Sequence, residues 1–519
     1  MKPPEHPHVD GTSSPQNDEL AQLAARIEHA VRVEDFRQAA CLVEENIASA
    51  WFAFPESRAV EILRILVHKL DQPPALLKAA YRILTATRAG LANTRELVES
   101  IDKECPRQMY VLSIFRMVDF RRHGNITDAL EQADSVDAYI EQMRPSLNPR
   151  GGWLLQSTVQ VGTTAMLAGD FPKALAAFMQ AQMHRAKSKF AFLEREALVK
   201  SALIHACFGN AATAQGLLKR AREVGRTSSW AEAQLDTQQE FVNVLTYSGD
   251  SITAHDRLEA INLQDIGEMW PFYIIALHRI LEAAGHHDEL DHRLEMLDSL
   301  PWPRVDGDGL TGSVFPLTRA LVALSAGHGA EAQDHLTRAD QRLTYTKVVT
   351  AAANVTAGRL TRALEQAYDL RKETRGFRLL EIRRLSVVAA AQYLSGDNHG
   401  CTETLSRATA LPRGLTPPET LLFGAELHEF AEQHLGSWPR HSTGKPIFLS
   451  LLPKPGHTLT RRESQILELL TQGHSRARIA ERLYISLSTV KTQLRSIYRK
   501  LEVSSAAEAI AEAERRGLN

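Results

Sequence analysis

Ala168-Gly169-Asp170-Phe171-Pro172-Lys173-Ala174-Leu175-Ala176-Ala177-Phe178-Met179-Gln180-Ala181 is the stretch from which the fold can be read. A glycine precedes a polar residue, and apolar residues follow it at offsets +5, +9 and +12 (Ala174, Phe178, Ala181). Those offsets differ by four and three, so the three side chains share one helix face. The pattern recurs along the chain. Gly90, Gly124, Gly169, Gly209, Gly249, Gly285, Gly327, Gly358 and Gly396 lie 31 to 45 residues apart. Position +5 holds Ala129, Ala174, Ala214, Ala254, Ala332 and Ala363. Position +9 holds Phe178, Leu218, Leu258, Leu294, Leu336 and Leu405, and position +12 Ala181, Ala221, Ala339 and Ala408. A period of that size marks a helical solenoid. The small residue at +5 lets a neighbouring helix come close, and the larger one at +9 fills the space between units. The glycine closes the preceding helix, where a left-handed backbone carries no steric penalty. Arg95, Leu290 and Cys401 break the pattern at +5, and the first unit, Glu34-Asp35-Phe36 with Ala39 and Ala40, lacks the glycine.

Ala168-Gly169-Asp170-Phe171 with Ala174-Leu175, Phe178 and Ala181 resembles a tetratricopeptide repeat, in copies mostly degenerate and longer than usual. Nine or ten helical pairs are expected between residues 19 and 412. No pair can bury its apolar face alone, so the units stack into a curved rod with a concave surface. Such surfaces hold a peptide, a protein or a small ligand. Trp270-Pro271-Phe272-Tyr273 and Trp302-Pro303 are read as packing between repeats, with the lining of such a site as the alternative.

Composition agrees with helix. Of 519 residues 44% are apolar and only 6% aromatic, with Ala and Leu dominant. The formal charge of −2 is unevenly spread: residues 457–519 carry eleven Lys/Arg against seven Asp/Glu, a net +4, which leaves −6 for the rest. An acidic body with a basic end suits an end that alone meets a polyanion. Cys41, Cys105, Cys207 and Cys401 form no C-x-x-C pair and read as buried, reduced thiols. No apolar run approaches the length of a membrane span, and residues 1–18 lack the apolar stretch of a signal peptide. They read as a disordered tail, and the chain as cytoplasmic with no membrane partner.

Thr416-Pro417-Pro418-Glu419 opens a further helix to about Leu435, ending a repeat domain of residues 19–435. Pro439, Pro446, Pro453 and Pro455 mark 436–457 as a linker before a domain of residues 458–519. In that domain Thr460-x-x-Glu463 is a capping box opening a first helix, with Ile466, Leu467, Leu469 and Leu470 inward and Gly473 as its stop. Ser475 caps a short second helix carrying Ile479, Ala480 and Leu483. After Tyr484-Ile485-Ser486 comes a third, with Val490, Leu494, Ile497, Tyr498 and Leu501 on one face. Its other face carries Ser488, Thr492, Arg495 and Arg499, with Lys491 beside them. Ser504 or Ser505 begins a fourth helix, to Arg516. A helix fits the major groove, where donors on its exposed face meet base edges and phosphates.

Leu459-Thr460-x-Arg462-Glu463, Ile479-Ala480, Thr489-Val490-Lys491 and Ile497-Tyr498-x-Lys500-Leu501-x-Val503 make this domain similar to the LuxR-type (GerE-like) DNA-binding domain. The fold class expected is therefore all-α, a tetratricopeptide-like solenoid followed by a four-helix LuxR-type helix-turn-helix domain. The resemblance implies that Lys491, Thr492 and Arg495 contact bases, and that Ser475, Ser488, Thr489, Arg499 and Lys500 contact the DNA backbone. It also implies a fourth helix that dimerises, and RNA polymerase as a protein partner. Arg476, Arg478, Gln493, Glu502 and Ala506 depart from the family's usual Asn, Glu, His, Gly and Arg, so an operator sequence does not carry over.

The two-part arrangement resembles the C-terminal half of the large ATP-binding LuxR regulators. The phosphate-binding motif G-x-x-x-x-G-K-[ST] does not occur: near Gly444-Lys445, Pro439 and Pro446 replace the first glycine and the hydroxyl residue. No ATP control, cofactor, metal set or enzyme activity is expected. The expected function is a DNA-binding transcription regulator whose repeat domain receives an unknown small-molecule or protein effector. The alternative is an interaction scaffold whose terminal domain binds a protein.

Overall fold

The computed structural model describes residues 19–85, 105–143, 152–183, 190–247, 249–439, 447–451, 461–501, 503 and 505–516. The expected tail 1–18, Gly90, Thr460, Ser504 and most of the stretch 440–460 lie outside the described residues, as do the side chains of Ser488, Arg499 and Lys500. All regular structure described is helical. From Pro106 to Thr409 it runs as antiparallel hairpins, each packed on the next: Pro106–Arg122 with Ile126–Met143, Trp153–Leu167 with Phe171–Met183, and Ala191–Phe208 with Ala211–Glu223. Ala231–Leu245 with Ser251–Glu259, Trp270–Ala284 with His287–Asp298 and Gly309–Ser325 with Gly329–Leu336 continue the series. Thr344–Thr356 with Leu360–Asp369 and Arg378–Leu394 with Asn398–Thr409 complete it.

Every residue named above at +5, +9 and +12 is buried, from Ala129 to Ala408. The second helix of each hairpin thus sinks one stripe into the core, as Ala174, Phe178 and Ala181 do in Phe171–Met183. The first helices differ. Trp153–Leu167 and Ala191–Phe208 are buried on nearly every side, the polar Gln160 and Thr163 and the charged Arg195 and Lys200 included. Gly124, Gly169, Gly285, Gly327, Gly358 and Gly396 adopt the expected left-handed backbone, whereas Gly209, at φ −107°, does not. There Asn210 caps the next helix directly, its Oδ1 accepting from the amides of Ala212 (2.8 Å) and Thr213 (3.3 Å).

Among the described residues the stack brings distant units into contact. Phe171 stacks on Phe208 with ring centres 4.4 Å apart, and Phe208 meets Tyr345 edge-on at 5.2 Å. Helix Ala191–Phe208 also packs on Arg378–Leu394. Much of the inner surface is covered by the chain itself, and the first helices bury even charged side chains there, among them Arg121, Arg195, Lys200 and Arg384. Gly124 lies so close to a later unit that a Cβ there would collide with the Arg304 backbone. Beside it the Asp308 carboxylate accepts from the amides of Ile126 (2.7 Å) and Thr127 (3.1 Å) and from the Thr127 hydroxyl (2.6 Å). Asp308 sits at the start of its own helix, Gly309–Ser325, yet caps another one. The Asp340 carboxylate takes its place by accepting from the Gly309 amide (3.1 Å).

Three readings are refined by the structure. Trp270 and Trp302 do pack between repeats, stacked at 4.9 Å. Cys207 and Cys401 are buried, but Cys41 is exposed and Cys105 half-buried, because Cys41 falls on the outer side of its helix. Within 436–457, read as a linker, Trp438, Phe448 and Leu449 are buried on the last helices of the stack. The Ile447 amide donates to Leu421 O (2.9 Å) and the Ser450 amide to Leu324 O (3.1 Å). The apolar Ile447-Phe448-Leu449 run outweighs the neighbouring prolines.

Candidate nucleic-acid interface

The C-terminal helices span Arg461–Thr471, Arg476–Arg482, Leu487–Leu501 and Ala506–Arg516. Ile466, Leu467, Leu470, Ile479, Ala480, Val490, Leu494, Ile497, Leu501, Ala509 and Ala513 form a core of their own. The first helix ends at Gly473, whose φ of +79° lets the His474 amide reach back to Leu469 O (3.0 Å). Ser475 begins the second, its Oγ accepting from the Arg478 amide (3.3 Å). The second ends at Tyr484, held at φ +53° while the Ile485 amide reaches Ala480 O (3.0 Å). A left-handed tyrosine is strained, and the residue is left 96% exposed. The Ser486 Oγ then accepts from the Thr489 amide (3.1 Å) and starts the third helix.

Burial alternates along that third helix as its period requires. Val490, Leu494, Ile497 and Leu501 are buried, Tyr498 half-buried, and Thr489, Lys491, Thr492 and Arg495 exposed. The helix thus brings Lys491, Thr492 and Arg495 onto one outward face within a turn and a half. At about 1.5 Å per residue the stripe from Ser488 to Arg499 would run ~16 Å, compatible with a major groove about 12 Å wide. Ser475 is exposed at the start of the second helix, where its hydroxyl already serves as a cap. The Thr489 hydroxyl shares a hydrogen bond with the Ser486 hydroxyl (2.8 Å).

Two side chains about the turn have positions that the sequence reading did not assign. Arg462 donates from Nη2 to Leu483 O (2.6 Å) and from Nη1 to Gln465 Oε1 (3.1 Å). It thereby ties the first helix to the end of the second and fixes the angle at which the third leaves the turn. Its place in the family motif was visible, but its carbonyl partner is twenty-one residues away and carries no side-chain signal. Tyr484 stands where a glycine would be the easy choice, and a bulky residue at that point was the available signal. Among the charges by which this chain departs from the family, Arg478 pairs with Glu481 across solvent (2.9 Å). It adds less positive field than its sequence suggested.

Residues 457–513 match the family described as bacterial regulatory proteins, luxR family. The chain is 44% identical over 64 residues to the transcriptional regulatory protein DegU of Brevibacillus brevis, covering 12% of this chain and 27% of that protein. It is 42% identical over 57 residues to the HTH-type transcriptional regulator MalT of Yersinia pestis (strain Pestoides F), covering 11% of this chain and 6% of that one. The similarity thus spans about a quarter or less of either relative.

Proposed function

We propose, from a C-terminal domain that belongs to the LuxR family, that this chain regulates transcription by binding double-stranded DNA under the control of its helical body. The observation that carries the reading is the third helix, whose aliphatic side is sealed in its own core while Lys491, Thr492 and Arg495 stand exposed. In this reading those three meet base edges in the major groove, and Ser475, Ser488, Thr489, Arg499 and Lys500 hold the backbone. The fourth helix pairs two copies on DNA, RNA polymerase is the protein partner, and the repeat domain receives the effector. The work is cytoplasmic and non-enzymatic, with no membrane partner. The names of both relatives, each a transcriptional regulator, support it.

Mapping bound sites in the native genome supplies the duplexes, and binding of the full chain to them is then followed by fluorescence anisotropy against salt. With two cations per subunit on phosphates, a dimer should give a slope of log affinity on log salt of about −3.6. Arg499→Ala should weaken all duplexes alike and flatten that slope. A slope near zero would contradict DNA binding through this face.

A further inference from the structure

Among the described residues a cavity of about 460 Å³ is walled by residues between Ile47 and Pro303. Its volume falls within the range of about 300–1,000 Å³ usual for small-molecule sites. Three features of its wall bear on what it takes. Five of the chain's six tryptophans line it: Trp51, Trp153, Trp230, Trp270 and Trp302, drawn from five separate segments. Trp270 is buried, stacked with Trp302 and Phe315, whereas Trp51, Trp153, Trp230 and Trp302 are half-buried and turn apolar ring surface to the space.

The charges of the wall cancel. Arg121 pairs with Glu268 (3.0 Å), Arg122 with Glu56, and Lys200 with Glu196, which accounts for every cation and every anion among the described lining residues. Arg121 is further held by Gln160 O (3.0 Å), Gln160 Oε1 (2.7 Å) and the Thr164 hydroxyl (3.0 Å). Burial pushes the Glu268 carboxyl up, but the Arg121 and Lys200 charges outweigh it and hold the group below its usual range, so the pair stays ionic. An ionic guest would have to separate one of these pairs and leave a charge uncompensated in a poorly hydrated place. Lastly, the Oε1 of Gln238, a wall residue only 6% exposed, is closed off and has no hydrogen-bond partner, so it becomes available to a guest's donor when the amide turns toward the space. A buried amide oxygen without a donor is uncommon.

We propose that this cavity is the effector site, and that it takes a neutral, flat aromatic molecule carrying an N–H or O–H group. Its rings lie against the tryptophan faces and its donor satisfies Gln238. The proposal rests on the reading of the repeat domain as the receiver, and names the chemistry received.

N-phenyl-1-naphthylamine has this chemistry (neutral, planar rings, one N–H) and emits strongly only away from water. Titrated into the full chain, it should saturate at one molecule per chain, brighten, and quench tryptophan emission. 8-Anilinonaphthalene-1-sulfonate carries the same rings with an anionic group, and should bind at least about tenfold more weakly, since every cation among the described lining residues is already paired. Gln238→Leu should weaken the naphthylamine about three- to tenfold, the worth of one hydrogen bond. Gln234→Trp, a half-buried wall position, should fill the space and abolish saturable binding. If Gln234→Trp fails to fold by circular dichroism, Gln238→Leu alone decides. Absent saturation, equal affinity for the sulfonate, or an affinity that Gln238→Leu leaves unchanged each overturns the proposal. The readout needs no DNA, so its failure and a failure of DNA binding are separable.

Discussion

Asp308→Ala should loosen the superhelix at the contact that closes it. The side chain is 15% exposed, and its carboxylate accepts hydrogen bonds from Ile126 and Thr127 at the start of helix Ile126–Met143, although Asp308 lies 181 positions later in the chain than Thr127. Losing a helix cap costs about 1 kcal/mol, and a charge-assisted bond to the Thr127 hydroxyl adds about 1.5 kcal/mol. The sum, roughly 2–3 kcal/mol, would speed local opening by about 30- to 160-fold, since each 1.36 kcal/mol is a factor of ten. Hydrogen exchange of the full chain reads this directly at the first-turn amides of helix Ile126–Met143. Peptides from the fourth helix, Ala506–Arg516, belong to a separate core and should not change. Asp308→Asn keeps one acceptor oxygen and should produce about half the free-energy change. Exchange that stays within about threefold of the parent at Ile126 and Thr127 would refute the cross-cap as a source of closure.

Three further outcomes follow from particular residues. Gly473→Ala meets open space, so only its left-handed backbone resists, and about 1 kcal/mol should be lost; exchange within Arg461–Thr471 should quicken about fivefold. Burial lowers the pKa of His278 from 6.5 to about 4. The folded chain therefore keeps it neutral while the unfolded chain takes up a proton. Stability should hold above pH 6.5 and fall as pH drops towards 4, by up to about 1.4 kcal/mol per pH unit, and His278→Gln should flatten that slope in thermal melts. Phe448 is fully buried, so Phe448→Ala should cost about 3–5 kcal/mol and expose the end of the stack to limited proteolysis.

The repeat face was legible because a helix of period 3.6 must place +5, +9 and +12 together, and every one of those residues is buried. Closure was not. Nothing in the sequence relates Asp308 to Ile126, and a carboxylate just before a helix reads as that helix's own cap. The interface was legible for the same reason as the repeats: Val490, Leu494, Ile497 and Leu501 commit one side inward, which leaves Lys491, Thr492 and Arg495 outward. The Arg462 tie to a backbone carbonyl escapes any reading of side-chain types. The cavity escaped as well. Trp270 and Trp302 were visible as a cluster, but Trp51, Trp153 and Trp230 join them only once the stack has curled.

The central claim is that the outward face of the third helix distinguishes one DNA sequence from another. Its most direct test is the affinity of the full chain for its mapped site against a set of single-base-pair variants, repeated with Arg495→Ala. The account predicts that the parent loses about 1–3 kcal/mol at one position in each half-site, and that Arg495→Ala removes this discrimination there while leaving it elsewhere. An unchanged preference at every position after Arg495→Ala would contradict the account.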